Sequence, residues 1–347
     1  MIKYLGSKRA LIPALTQLAE ASQATSAVDL FTGTTRVAQA LKKLGMKVTA
    51  NDLASYSLVL SKAWIETDAS AVDAREYRDA VAQLNALPGV SGYFTKTFCE
   101  ESRFFQPKNG EKVDAIRAAI ETEYRASWLY YPLLSSLILA ADRVDSTTGQ
   151  QMAYLKTWAS RSFADLELRP IDLLPGSGKA YQRDALALAS ELEATDLAYL
   201  DPPYNQHRYF ANYHIWETLV RGDTPDYYGI ANKRLDVRSE ENKSAYNSKR
   251  TMPAELLALV QSLHAETLML SYNNESWLDL ESLIDICKLR GTVKVLEFDY
   301  KRYVGSKIGV YNRRGEVVGA PTHHRNIEYV ILAGDKATVT RMSKALD

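Results

Sequence analysis

The stretch 28–52 constrains the fold more than any other part of the chain. Val28-Asp29-Leu30-Phe31 is a short apolar run and Thr32-Gly33-Thr34-Thr35 is a turn. Positions 36–45 carry apolar residues at helical spacing, and 46–50 is a second apolar run that ends at Asn51-Asp52. Two strands joined through a helix lie parallel, because a parallel pair needs a crossover and the crossover is right-handed in nearly all proteins. Further short runs rich in Val, Ile, Leu, Tyr or Phe follow at 197–200, 267–271, 293–300 and 327–333. Strands alternating with helices predict an α/β fold, an open, mainly parallel sheet with helices on both faces.

The stretch between 63 and 179 differs. Positions 72–87, 113–125 and 153–166 have helical spacing and none reads as a strong strand. The longest apolar stretch, 128–141, is interrupted by Pro132 and is too short to span a bilayer, so it reads as a core helix. The expected organisation is a discontinuous α/β domain, 1–62 and 180–347, with a mostly helical insertion at 63–179. Neither an internal repeat nor a low-complexity tract interrupts it.

Composition excludes several classes. With 42 basic and 42 acidic residues the chain does not coat nucleic acid through overall charge, so any such partner has to be held by local patches. Cys99 and Cys287 lie far apart without metal-ligand or redox spacing, which predicts buried thiols in a reducing cytoplasm. The N-terminus runs straight into polar residues, so no signal peptide is expected, and no membrane association. His323-His324 has no companion ligands at metal spacing, so no metal is expected. Gly176-Ser177-Gly178-Lys179 lacks the spacing and the following Ser or Thr of a phosphate loop.

Two motifs carry chemistry. In the first turn, Gly33 lets backbone approach a ligand and the following helix offers unpaired N–H groups; Asp52, at the tip of the second strand, is placed to accept from ribose hydroxyls. An ordinary tight turn with a solvated acid would read the same way. Asp201-Pro202-Pro203-Tyr204 is more specific. Consecutive prolines cannot continue a central strand or a helix, and they leave the Asp201 carboxylate and the Pro202 carbonyl as fixed acceptors where strands of an open sheet meet their ligands. Those acceptors suit a planar amine, and Tyr204 supplies a flat face on which an extruded base could stack.

The order of these motifs resembles that of the DNA adenine methyltransferases of restriction–modification systems, the class that includes bacterial GATC-methylating enzymes. Lys3-Tyr4-Leu5-Gly6-Ser7-Lys8-Arg9 looks like the N-terminal motif that closes over the methionine end of S-adenosylmethionine, which points to Tyr4 and Lys8. Asp29-Leu30-Phe31-Thr32-Gly33-Thr34-Thr35 is similar to that family's cofactor loop, which points to Asp29, Phe31, Gly33 and Thr34. Asn51-Asp52 matches its ribose acid, and Gln182-Arg183-Asp184-Ala185 brings Asp184 to the cofactor's adenine. Thr35 stands where relatives often carry a second glycine. The resemblance implies a Rossmann-like methyltransferase sheet, an inserted target-recognition domain, S-adenosylmethionine as cofactor, double-stranded DNA as substrate and a possible companion endonuclease. Catalysis would rest on Asp201, Pro202, Pro203 and Tyr204.

Three segments are candidates for DNA contact. Between helices of the insertion, Arg103, Phe104, Gln106 and Lys108 combine side chains that read base edges or wedge into a stack. The alternative is an inter-helix turn with Phe104 and Phe105 packed inward. From 232 to 250 six basic residues face three acids, with Lys243, Tyr246, Lys249 and Arg250 the candidates; from 301 to 326 six face one, with Arg313 and Arg314 among them. Basic loops at a sheet edge suit phosphate clamps, although a solvated loop reads alike. Leu270-Ser271-Tyr272-Asn273-Asn274 could border the pocket or be a plain strand-to-helix turn. The competing functions are methylation of RNA adenine or of a protein amide, and a catalytically silent DNA-binding subunit. Amide-directed relatives tend to carry Asn at the first motif position, where this chain has Asp201, and silencing would be expected to damage motifs that are intact here.

Overall fold

The structure is a computed structural model that describes residues 2–206, 208–301, 310–311, 317–319 and 325–346. Seven strands form its central sheet: β1 Ser26–Asp29, β2 Lys47–Asn51, β3 Gly178–Tyr181, β4 Thr195–Leu200, β5 Ala265–Asn273, β6 Thr292–Lys301 and β7 Arg325–Gly334. Their spatial order is β3-β2-β1-β4-β5-β7-β6. The first five run parallel, and β7 lies antiparallel to both β5 and β6. The sheet is thus mixed and mostly parallel.

Alternation along each strand sends side chains to two cores. Ala27, Leu197, Tyr199, Met269, Val330 and Leu332 face one, and Val28, Ala198, Leu200, Leu268, Leu270 and Ile331 face the other. The second core is closed by the short α-helix Ala185–Ala189, by Met252–Ser262 and by Leu280–Lys288. The first is closed by α1 Ile12–Ser22, α2 Arg36–Lys43, the helix Ser55–Ser61, the helix His214–Arg221 and the C-terminal helix Lys336–Lys344.

The helices Ala74–Ala86, Pro107–Tyr124 and Tyr130–Arg143 pack into this same first core, so the helical block shares its interior with the sheet. Two expectations need correction. Positions 153–166 form no helix; the segment is irregular apart from a single turn at Ser160–Phe163 and is held by side chains such as Asn109, whose Oδ1 accepts from the Leu166 N–H at 2.9 Å. Its apolar spacing reflects contact points of a strap lying on the core. Strand β3 escaped the sequence reading because it holds no β-branched residue and begins with glycine. A Cβ at Gly178 would sit 2.6 Å from the Val48 carbonyl and 2.7 Å from that of Ile65, so only glycine admits the strand to this edge. Cys99 and Cys287 are buried free thiols. Among the described residues no helix is long and apolar enough to cross a membrane.

Candidate active site

β1 and β4 are neighbours whose onward connections leave in opposite directions, β1 to β2 on one side and β4 to β5 on the other. Their carboxyl ends therefore open a crevice, the place where open α/β sheets bind ligands. A cavity of about 1090 Å³, its open mouth included, occupies that crevice. It is lined from several separate segments, among them Tyr4, Phe31, Gly33, Asp52, Asp184 and Asp201.

The loop between β1 and α2 is tightly specified. Gly33 has φ +52° and donates its N–H to Asp52 Oδ2 at 2.8 Å, and a Cβ there would approach the Tyr4 hydroxyl to 3.2 Å and its ring to 3.3 Å. Thr35 also lies in the left-handed region, at φ +63°, where glycine is favoured. Its hydroxyl donates to the Thr34 carbonyl at 2.7 Å and accepts from Gln39 at 2.7 Å, so polar bonds replace the glycine's freedom. The other Asp52 oxygen accepts from the Ala54 N–H at 3.0 Å, and burial raises this carboxyl above its ordinary range. Asp29, 1% exposed, is pushed up to about 8 chiefly by burial, so it is mostly protonated at neutral pH.

The N-terminal segment closes over this loop. Tyr4 stacks with Tyr209 and with Tyr213, at centroid distances of 5.3 and 4.7 Å, and its hydroxyl meets that of Tyr56 at 3.2 Å. Asp184 is exposed at the opposite wall, where one oxygen caps the Ala185–Ala189 helix through the Ala187 N–H at 3.0 Å. Thr34 is buried on the cavity wall.

At the tip of β4, Asp201 and Pro203 reach the cavity wall and Pro202 is buried behind them. Tyr204 packs edge-on against Tyr272, with ring centroids 5.6 Å apart, so the segment 270–274 meets the Asp-Pro-Pro-Tyr motif through Tyr272 while neither ring lines the cavity. Lys8 lies in an unexpected place. It is 7% exposed, forms ion pairs with Asp201 at 3.0 Å and with Glu328, and sits 5.9 Å from the centroid of the Tyr204 ring. Burial pushes Asp201 up to about 6; Lys8 opposes that shift and Glu328 adds to it.

The nucleic-acid candidates separate. Phe104 is wholly buried, against Tyr154 at 5.2 Å and near Phe98 and His214, so the expectation that it contacts DNA is corrected: the pair Phe104-Phe105 belongs to the core. Arg103 is half-buried, stacked 4.9 Å from the Trp158 centroid and donating to the Lys156 carbonyl at 3.0 Å. Gln106 is half-buried at the head of the Pro107–Tyr124 helix, and Lys108 is exposed in an ion pair with Asp165. Tyr246, expected at DNA, is 1% exposed and packs edge-on against Phe31 at 4.9 Å as part of the cavity wall; this too is a correction. Lys243 pairs with Glu240, whereas Lys249 and Arg250 are exposed. Arg313 and Arg314 lie outside the described residues, as does His323-His324.

Sequence reasoning missed three contributors. Arg36, the first residue of α2, lines the cavity with its buried Nε lacking a hydrogen-bond partner among the described residues. Asn247, also on the wall, donates to the carbonyl of Asn205, directly after the Asp-Pro-Pro-Tyr motif, at 2.9 Å. Glu328 lies in an apolar strand, and an acid inside such a run was the available signal.

The family profile of D12 class N6 adenine-specific DNA methyltransferases matches residues 4–286. Over 328 residues the chain is 31% identical to modification methylase StsI of Streptococcus sanguinis, covering 88% of this chain and 50% of that protein. It is 32% identical over 289 residues to type II methyltransferase M.NlaIII of Neisseria lactamica, covering 80% and 84% respectively. With type II methyltransferase M.FokI of Planomicrobium okeanokoites the identity is 29% over 326 residues, covering 87% and 50%. The chain thus spans about half the length of two of these relatives and most of the third.

Proposed function

The chain belongs to the D12 class of N6 adenine-specific DNA methyltransferases, and we propose that it moves a methyl group from S-adenosylmethionine to the exocyclic amine of an adenine swung out of duplex DNA. It would act at a specific sequence, as the modifying half of a restriction–modification pair. The observation that carries this reading is the shared cavity: Asp201 at the tip of β4 opens into the same space as the Gly33 loop and Asp52.

The cavity fits the donor. The lining of the crevice is concave and mixes apolar with polar groups, and the orphaned Arg36 Nε is a buried donor suited to a carboxylate such as that of a methionine. Asp52 would accept from ribose hydroxyls, Phe31 and Tyr246 would flank the base, and Asp184 would accept from its amine. The segment around Tyr4 would close over the methionine end. The bound donor supplies an electrophilic methyl on a sulfonium.

The chain's own groups do the rest. Asp201 and the Pro202 carbonyl accept the two amine protons of the target base, which orients the nitrogen lone pair and stabilises positive charge as it develops there. Tyr204, braced by Tyr272, offers the extruded base a flat face. Lys8 holds the Asp201 carboxylate in its ionised form. Once methylated, the amine nitrogen is strongly acidic and releases its proton readily, through Asp201 to water. Target recognition falls to the helical block, 63–179, with Arg103, Gln106 and Lys108 at its surface, and phosphate contact to Lys243, Lys249 and Arg250.

Expression in a host free of DNA methylation, followed by sequencing that detects methyladenine, tests the reaction and reads the target site. Methyladenine at one short motif is expected. Labelled methyl groups appearing in RNA or protein instead of DNA would overturn the assignment. For the exposed pair, Lys249→Ala with Arg250→Ala is expected to weaken binding to all duplexes alike and to reduce the salt-dependence slope by about two. A changed sequence preference with an unchanged slope would remove these residues from the phosphate-binding set.

A further inference from the structure

We propose that Glu328 is a positioning residue for methyl transfer: by sharing the Lys8 ammonium with Asp201, it keeps the Asp201 carboxylate available to the target amine. The inference rests on the reading of Asp201 as the acceptor of that amine. Glu328 lies beyond residues 4–286, the part of the chain that the family profile matches.

The topology brings it there. β7 runs antiparallel to β5, so its first residues lie at the edge where β1, β4 and β5 end, and Glu328 pairs in register with Asn273, the last residue of β5. Alternation puts Glu328 on the same face as Val330 and Leu332, which is the face taken by Leu197 and Tyr199 of β4. Asp201, two residues beyond Tyr199, continues that row. Asp29, two residues after Ala27, does the same on β1. Three strands thus deliver three carboxyl groups to one face of one edge, and Lys8 enters among them.

The charge count is the physical argument. One ammonium neutralises one carboxylate, so the pair Lys8–Asp201 would be complete without Glu328. Adding Glu328, itself 5% exposed, leaves a buried cluster with an excess negative charge, and an apolar residue in its place would serve stability at least as well. The excess sits where an amine becomes positive during transfer, which is where preorganised negative potential accelerates a reaction. An ammonium also has three donors to distribute. With Glu328 taking a share, Lys8 meets Asp201 through Oδ1 and is held beside the Tyr204 ring without being drawn wholly onto Asp201. The charged and titratable groups facing Asp201 are Lys8 from the N-terminal segment, Glu328 from β7, Asp29 from β1, Tyr199 from β4, and Tyr209.

The test is Glu328→Gln in the full chain. Carboxyl-carbon NMR of the ligand-free protein, with the Asp201 signal assigned by its loss in Asp201→Asn, follows the carboxylate directly. Removing Glu328 takes away a negative neighbour and leaves Lys8 to Asp201 alone, and both changes favour the ionised form. The Asp201 midpoint is therefore expected to fall by about one pH unit. The acid limb of kcat should follow it, and the kcat plateau should drop about tenfold as Asp201 becomes a weaker acceptor. Affinities for DNA and for a non-transferring donor analogue should hold. An unmoved Asp201 midpoint, or affinities that fall in step with kcat, would overturn the proposal. Glu328→Asp keeps the charge on a shorter arm; it should retain the wild-type midpoint with an intermediate kcat. It carries the test alone if the glutamine variant does not fold, and a shifted Asp201 midpoint in it would overturn the proposal. Because the titration needs neither DNA nor donor, its failure is distinct from a wild-type protein that leaves DNA unmethylated, which would condemn the functional reading instead.

Discussion

Replacing Asp201 with alanine is expected to lower the rate of methyl transfer about a thousandfold while the donor still binds. The two effects separate because the cavity is built from two ends. On the proposed reading the donor would be held by the Gly33 loop, Asp52 and the wall near Asp184, whereas Asp201 stands at the tip of β4. The loss should be catalytic rather than structural, since Lys8 keeps Glu328 as a partner when Asp201 is gone. Single-turnover transfer to a cognate duplex and calorimetric titration of the donor measure the two quantities. Full activity in the alanine variant would sink the mechanism. The wild-type pH profile carries the same signature. With Asp201 pushed up to about 6, transfer should rise as pH increases through that value, because only the ionised form is an unencumbered acceptor. Asp201→Asn should lose the limb.

Lys8→Met should damage both stability and rate, and it should move the acid limb in the direction opposite to Glu328→Gln. The methionine fills space similar to the lysine stem but leaves Asp201 and Glu328 facing each other in a buried site without their shared cation. Breaking a buried ion pair by removing one partner typically costs about 3–5 kcal/mol. Here part of that cost is avoidable, since a carboxyl can take up a proton. Lys8 lowers the Asp201 pKa in the wild type, so without it the folded value rises above about 6, while the unfolded value stays near an ordinary ~3.9. The folded variant then binds more protons than the unfolded chain across that window. Its stability should therefore be greatest at low pH, decline as pH rises through the window, and stay low above the folded pKa. Thermal melts at several pH values measure this, and kcat should require a higher pH than in the wild type. A melt that is independent of pH would mean that Lys8 is not the shared counter-ion.

Much of this site was legible in the residues because its parts are local. The strand–turn–helix–strand unit announces itself by periodicity, and a double proline after an apolar run can only mark a strand exit. Helices at Ala74–Ala86 and Pro107–Tyr124 followed from the same spacing. Where the reading failed, a local pattern had more than one tertiary meaning. Phe104 and Tyr246 sit among basic and polar neighbours, which suggested DNA, yet both rings are buried. A segment's charge says where its polar residues go and nothing about which way an aromatic ring turns. The 153–166 spacing imitated a helix because a strap on a core touches it at intervals too.

The sequence by itself determined the α/β class, the strand–turn–helix–strand unit at 28–52 and the chemistry of Asp201-Pro202-Pro203-Tyr204 at a strand exit, all of which depend on neighbours within a few residues. Only the tertiary structure decided what surrounds Asp201. Lys8 comes from the first turn of the chain and Glu328 from the last strand, separated by 320 positions. Their meeting depends on β7 being inserted antiparallel between β5 and β6, an arrangement set by packing across the whole sheet. Lysine in the N-terminal motif was legible as a cofactor contact. That it is also the counter-ion shared by two carboxylates follows from distances that no spacing along the chain encodes.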